Sequence, residues 1–595
     1  MSIDIDGPSP MALPESDDPR RTDGSLATAV SDMLRRRAPE LPVEVRIAIG
    51  DVLTRQTAGD TCLATETPVS GSPRLVARLD AVLDEQTCRD AVRGLPFVSV
   101  GPYFYAQRQF IDELSVSASV VRLVQASNDL SGHIHPDRLE ALLRSPLRPL
   151  YDTPIEIGRS VLRTNFNLLV GGPGTGKTHN LTRYLALLAE ALLAANGSAR
   201  IAVCAPTGKA ATRAQEMLRS FCEKETSLSP EVRALLDGIT PSTIHRLLGV
   251  KPGTRGRFKH DAGTRLEIDV LVVDEMSMVA LPLMARLLEA VPDTCRVLLV
   301  GDEAQLESIE VGAVLAELNN STALRERGRV GTLTEVFRQG QGSAINDAAY
   351  AIRKGAIAEL MSVLDPKGAD LRWVEIGGVP KVQSEVVAEV SSLLAPAVAA
   401  ARATDVASHA EALATISGVK VLCGPRHGAS GVHAWNGAIA GALGLPRSTS
   451  LPVGTPVLIT VNAPLLHLVN GSIGLVVATA DGVRVAFPQS GLDHAGKELP
   501  PVRYLSVAEL PPHEPCFAMT VHKSQGSEYA TLVVAVVPAL DSPLLTRELV
   551  YTALTRAKQR AVVVGSRDAI EQSLSRTARR TSGISWLIEQ LLARH

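Results

Sequence analysis

From about residue 150 onward, short unbroken apolar runs alternate with amphipathic stretches. NFNLLV (165–170), RIAVCAP (200–206), DVLVVDE (269–275) and CRVLLVGD (295–302) are too short for helices and apolar throughout. Such runs predict parallel strands buried on both faces. Helical segments such as HNLTRYLALLAEALLAAN separate them, so residues 151–341 are expected to form an α/β doubly wound unit. A second α/β unit is expected over 342–595, with strands in VKVLCGP (419–425), ATLVVAVVP (530–538) and RAVVVGS (560–566). Between about 450 and 510 the pattern turns β-rich, and the turns NGS and DGV signal hairpins. This piece predicts a small barrel inserted in the second unit. The Ala-rich run LLAPAVAAARA (393–403) reads as a helix.

Residues 25–150 read as mainly helical, as in ATAVSDMLRRRAPEL, and carry no catalytic motif. Residues 1–24 are acidic and Pro-rich, which predicts a disordered tail rather than a signal peptide. No apolar run reaches the ~18 residues of a spanning helix, so no membrane role and a cytoplasmic location are expected. The net charge of -3 argues against a non-specific nucleic-acid coat, so any such contact must be local or shared with a partner chain. An aromatic content of 3% argues against a surface built on stacked bases. Seven thinly spread cysteines, without a CxxC pair or a His at zinc-ligand spacing, suit a reducing compartment and buried packing roles.

Candidate chemistry concentrates at the strand ends. GGPGTGKT (Gly171, Gly172, Pro173, Gly174, Thr175, Gly176, Lys177, Thr178) follows a strand and precedes a helix. That context is the one a phosphate-binding P-loop demands. Its backbone N–H groups would cradle the phosphates of ATP, with His179 next along the helix. Lys177 would reach the β- and γ-phosphates, and Thr178 would bind Mg²⁺. In VVDEMSM, Asp274 would hold Mg²⁺ and Glu275 would polarise the attacking water. In GDEAQLES, Gln305 could hydrogen-bond that water or the γ-phosphate. Arg338 in EVFRQ and Arg556 in LVYTALTRAK are candidate arginine fingers.

The stretch AMTVHKSQGSEY (518–529) gathers Thr520, His522, Ser524 and Gln525 at one strand-to-helix corner. Hydroxyls, amides and imidazoles can grip a nucleic-acid backbone without reading sequence. Gly526 would let the corner turn, and Glu528 would accept from a ribose hydroxyl or brace it.

These motifs, with APTGKAA (205–211) and STIHRLLG (242–249), occur in the order found in superfamily 1 helicases. The chain resembles them over about 150–595, and within them the RecD branch, which moves 5′ to 3′. The resemblance implies two RecA-like domains with an SH3-like β subdomain, whose NG turn Asn470–Gly471 matches. It implies single-stranded DNA contacts from Pro206, Thr207, Thr243 and His245 in the first unit, and from Thr520, His522 and Ser524 in the second. TRQTAGDTCLAT (54–65) and PYFYAQRQFIDELSVSASV (102–120) resemble the N-terminal docking domain of the RecD family. This implies a heterotrimer with RecB-like and RecC-like subunits that works on duplex DNA ends, the nuclease residing in another chain. The family's adenine-reading Gln upstream of the P-loop is absent from YDTPIEIGRSVLRTNF, where Tyr151 or Arg159 are the candidate substitutes. The alternatives are a stand-alone RecD-like helicase, a relaxase-associated helicase, or a subunit whose ATP site only stabilises an assembly.

Overall fold

The structure, a computed structural model, describes residues 25–594 apart from 38–40, 66–68, 70–74, 80, 83, 127, 144–151, 252, 254–256, 309, 335–342, 365–369, 378–381, 447–450, 490–498 and 579. The expected disordered tail, Tyr151 and the EVFRQ motif with Arg338 lie outside the described residues.

The first α/β unit is built on six parallel strands. Their order is Val330–Leu333, Phe166–Gly171, Arg296–Gly301, Val270–Val273, Ile201–Ala205 and Ser242–Thr243. Every residue of Phe166–Gly171, Val270–Val273 and Arg296–Gly301 is buried, which explains why these strands read as unbroken apolar runs. The second unit has five parallel strands in the order Leu371–Glu375, Ala561–Gly565, Leu532–Val536, Val419–Cys423 and Ala518–Thr520. The Ala-rich run falls in helix Ser384–Ala400, which carries Pro396 inside it.

Five antiparallel strands form the inserted piece, in the order Val502–Ser506, Gly482–Pro488, Ile473–Thr479, Pro456–Ile459 and His513–Pro515. The hairpin at Asp481–Gly482 is tight, with Thr479 opposite Gly482 and Gly482 at φ 110°. Val457, Ile459, Val476, Val485 and Phe487 give it a small core of its own. The insertion leans on the first unit through Val469, packed against Gly208 where a β-carbon would collide.

Helices Ser25–Arg37, Val43–Thr57, Glu85–Ala91, Gln107–Gln125 and Pro136–Leu143 make up most of the described N-terminal residues. Among them sits a four-stranded sheet that the sequence reading does not anticipate: Cys62–Ala64, Tyr103–Ala106, Phe97–Val100 and Val76–Leu79. Its strands are three or four residues long, too short to show a period of two.

The last helix, Ile584–Leu592, packs against Gln107–Gln125 in the core shared by the N-terminal region and the first sheet. One buried carboxylate anchors it. Glu113 accepts from the hydroxyls of Thr61, Tyr105 (3.0 Å) and Ser582 (2.6 Å) and from the N–H of Gly583 (2.9 Å). The Thr61 hydroxyl can still donate to Thr581 O at 3.0 Å, but removing that acceptor strands the other three buried donors, each costing about 1–3 kcal/mol. Glu113→Ala is therefore expected to lower the melting temperature and to raise amide exchange across Ile584–Leu592 above that of the central strands, measured by hydrogen exchange.

Candidate active site

A cavity of about 580 Å³ opens between the two parallel sheets, within the size range of small-molecule sites. The first unit lines it with Gly172, Pro173, Gly174, Gly176, Lys177, Thr178, His179, Arg213, Asp274, Glu275 and Gln305. The second unit adds Glu528 and Arg556.

The phosphate loop follows from the sequence at its level. Gly174 and Gly176 sit at φ 76° and 83°, a region that favours glycine, and Gly176 leads directly into helix Lys177–Asn196. Gly171 has no room for a β-carbon, because the Thr175 hydroxyl would lie 2.6 Å from it. Thr175 does not line the cavity; its hydroxyl donates to Gly172 O at 2.8 Å and braces the loop. The Lys177 ammonium donates to the carbonyls of Gly171 and Gly172.

Asp274 and Glu275 end strand Val270–Val273. Glu275 holds φ 53°, a left-handed backbone that a non-glycine residue adopts at a cost, and its N–H donates to Asp274 Oδ1 at 2.8 Å. Burial and the neighbouring Glu275 push the Asp274 carboxyl up to about 6. Lys177 and Arg213 offset part of that cost. Two carboxylates crowded beside a lysine make a pocket for cations and for the phosphates that bring them.

Gln305 is 5% exposed, and its amide N donates to Asp302 Oδ2 at 2.9 Å. Arg556 is 3% exposed; Nε donates to Thr552 O at 3.1 Å and Nη1 to Ser527 O at 3.3 Å.

Residues of the expected DNA grip divide into two groups. Pro206, Thr207, Thr243 and His245 lie at the carboxyl ends of neighbouring strands, where open α/β sheets bind ligands. Thr207 and Thr243 also cap the helices that follow, accepting from Ala210 N and Arg246 N at 3.2 Å each. His245 is exposed, with its ring 6.0 Å from Phe258. On the second unit, Thr520 and His522 are half-buried at the end of an edge strand. Burial and the nearby Arg580 lower the His522 imidazole below its ordinary range. Gly526 bridges the groups, since a β-carbon there would lie 3.8 Å from the Thr207 hydroxyl.

Two expected DNA contacts are turned inward instead. Ser524 is fully buried and its hydroxyl donates to Val521 O at 2.6 Å. Gln525 is buried and its amide donates to Leu306 O at 2.7 Å, tying the corner to the loop that carries Gln305. Both are joints inside the protein in this conformation. Glu528 braces the corner rather than facing a ribose, pairing with Arg213 of the first unit at 3.0 Å and with Lys558 at 3.5 Å. Arg159 pairs with Glu140 at 3.9 Å on the surface.

Arg213 is the cavity residue that sequence reasoning missed. It stands on helix Gly208–Lys224, donates to Gly526 O at 3.1 Å and pairs with Glu528, so it crosses the cleft. Its place two residues after APTGKAA was the available signal.

A family profile for an AAA domain matches residues 155–311, and one for a UvrD-like helicase C-terminal domain matches 515–564. The RecBCD enzyme subunit RecD of Mycolicibacterium smegmatis is 40% identical over 493 residues, covering 81% of this chain and 82% of that protein. The Mycobacterium tuberculosis RecBCD enzyme subunit RecD is 37% identical over 510 residues, covering 83% of each. The ATP-dependent RecD2 DNA helicase of Deinococcus radiodurans is 33% identical over 435 residues, covering 72% of this chain and 50% of that protein.

A phosphate loop on one parallel sheet, closed over by a second sheet that supplies an arginine, is the engine of an ATP-dependent helicase. The chain belongs to the RecD family, and it is an ATP-dependent DNA helicase of the RecD type. Among the described residues, no helix is long and apolar enough to cross a membrane.

Because Arg213 joins the two units at the cavity, Arg213→Ala is expected to uncouple them. DNA-stimulated ATP turnover should fall about tenfold, while the DNA-independent rate changes little. Steady-state turnover with and without single-stranded DNA reads this directly.

Proposed function

We propose that the chain is the 5′-to-3′ motor subunit of a RecBCD-type helicase–nuclease that processes double-strand DNA ends for recombinational repair. The observation that carries the motor reading is the shared cavity: Lys177, Glu275 and Gln305 come from one sheet and Arg556 from the other. A cavity walled by two units turns ATP binding and hydrolysis into closing and opening.

In this reading Lys177 and Arg556 clamp the phosphates, with Arg338 as a further candidate. Glu275 takes the proton of the attacking water and Gln305 orients that water. Mg²⁺ held by Thr178 and Asp274 would neutralise charge on the β- and γ-phosphoryl oxygens. The half-buried Asp274, whose carboxyl is crowded by Glu275, fits that role. Pro206, Thr207, Thr243 and His245 form one grip on single-stranded DNA; Thr520 and His522 form the other. The five-stranded insertion is the SH3-like subdomain, and the four units divide at about residues 24, 150 and 341.

Two things favour a subunit over a free helicase. The RecBCD-type relatives match along 69–83% of their length, the RecD2 helicase along half. The two N-terminal helices also expose Met33, Val43 and Ile47, an apolar surface suited to docking on a RecC-like chain beside a RecB-like one.

A tagged chromosomal copy, purified from its own cells, tests the assembly. Recovery with two larger chains supports the subunit reading. Recovery alone, with ATP-dependent unwinding of 5′-tailed duplexes, would establish a free helicase and remove the docking role.

A further inference from the structure

Tyr551 lies five residues before Arg556, on helix Arg547–Leu554 of the second unit, and is 2% exposed. Its hydroxyl donates to Asp302 Oδ2 of the first unit at 3.2 Å. The same oxygen accepts the Gln305 amide N at 2.9 Å, while Asp302 Oδ1 accepts Ala304 N at 3.1 Å. The phenol also lies over the phosphate loop: a β-carbon on Gly172 would sit 3.0 Å from its oxygen. Burial and Asp302 push the phenol far above its ordinary range, so it stays a donor at every working pH.

The second unit holds this loop at Leu306 as well. The Leu306 N–H donates to Thr552 Oγ1 at 2.8 Å and its carbonyl accepts the Gln525 amide. What remains free is one atom. Gln305 Oε1 is buried, meets no donor in the protein, and belongs to a residue in the cavity wall. A carbonyl oxygen can only accept, so in this orientation it can receive a hydrogen bond from a water and cannot donate one to a phosphate oxygen.

The geometry points to Tyr551 as a positioning residue. By fixing Asp302 from across the cleft, it orients the Gln305 amide so that its carbonyl meets the attacking water only while the second unit is docked. This deepens the role given to Gln305 above and rests on it. It makes hydrolysis conditional on closure through a second device, separate from Arg556. An opened cleft withdraws the phenol and frees the Gln305 amide to turn its N–H₂ toward the water, where it donates a hydrogen bond instead of accepting one.

The test compares Tyr551→Phe, Gln305→Ala and the double variant in the full chain, reading kcat and KM for ATP with single-stranded DNA. Tyr551→Phe keeps the ring and its packing. It is expected to lower kcat about tenfold with KM unchanged, and to add nothing in the Gln305→Ala background. Asp302→Asn, nearly isosteric, puts an N–H₂ among these partners and is expected to lower kcat in the same way. A normal Tyr551→Phe beside a crippled Gln305→Ala would overturn the proposal, as would losses that multiply in the double variant. A Gln305→Ala enzyme that turns over normally would instead overturn the role of Gln305 itself. If Tyr551→Phe melts early, Asp302→Asn decides on the same criteria.

Discussion

Replacing Lys177 by Gln is expected to remove ATP hydrolysis, lowering kcat by about a thousandfold or more. Among the described residues the ammonium donates to the carbonyls of its own loop, Gly171 and Gly172, and its charge also eases the burial of Asp274, so its loss should shift the melting temperature only modestly. Gln, one atom shorter, keeps a hydrogen-bond donor but not the charge that the transferring phosphoryl group requires. ATP turnover and thermal melting of the same preparation check both halves. Residual turnover near wild type would put the phosphate site elsewhere.

Arg556→Lys is expected to produce the second largest loss, about a thousandfold in kcat, with KM for ATP changed only a few-fold. The guanidinium holds two backbone carbonyls, Thr552 O and Ser527 O, and still lines the cavity. A planar fork can do both at once and a single ammonium cannot. Equal losses in kcat and in DNA affinity would mean that Arg556 shapes the second unit rather than the transferring phosphate.

The central strands of both parallel sheets were legible because burial on both faces writes them as continuous apolar runs; the half-buried edge strands Val330–Leu333, Ser242–Thr243 and Leu371–Glu375 were not. The cavity was legible because a phosphate loop needs glycines in sequence: Gly174 and Gly176 show their left-handed backbone directly. Residue type could not tell which way a polar side chain faces. Ser524 and Gln525 are polar hydrogen-bonding residues like Thr520 and His522, but their side chains are buried and donate to Val521 O and Leu306 O. Pairs far apart in sequence were invisible for the same reason. Tyr551 and Asp302 are separated by 249 residues, and Ser582 and Glu113 by 469. The N-terminal sheet was missed because its strands are too short for a pattern. The last helix reads as an ordinary amphipathic segment and gives no sign that it returns to the N-terminal region.

ATP turnover in the cleft between the two units is expected to move the chain along one DNA strand. The direct measurement is ATP-driven displacement of streptavidin from biotinylated single strands by the full chain, with Lys177→Gln alongside. Displacement from the 3′ end alone by wild type, and none by Lys177→Gln, is the expected result for 5′-to-3′ movement. Displacement from the 5′ end, or displacement that persists in Lys177→Gln, would contradict it.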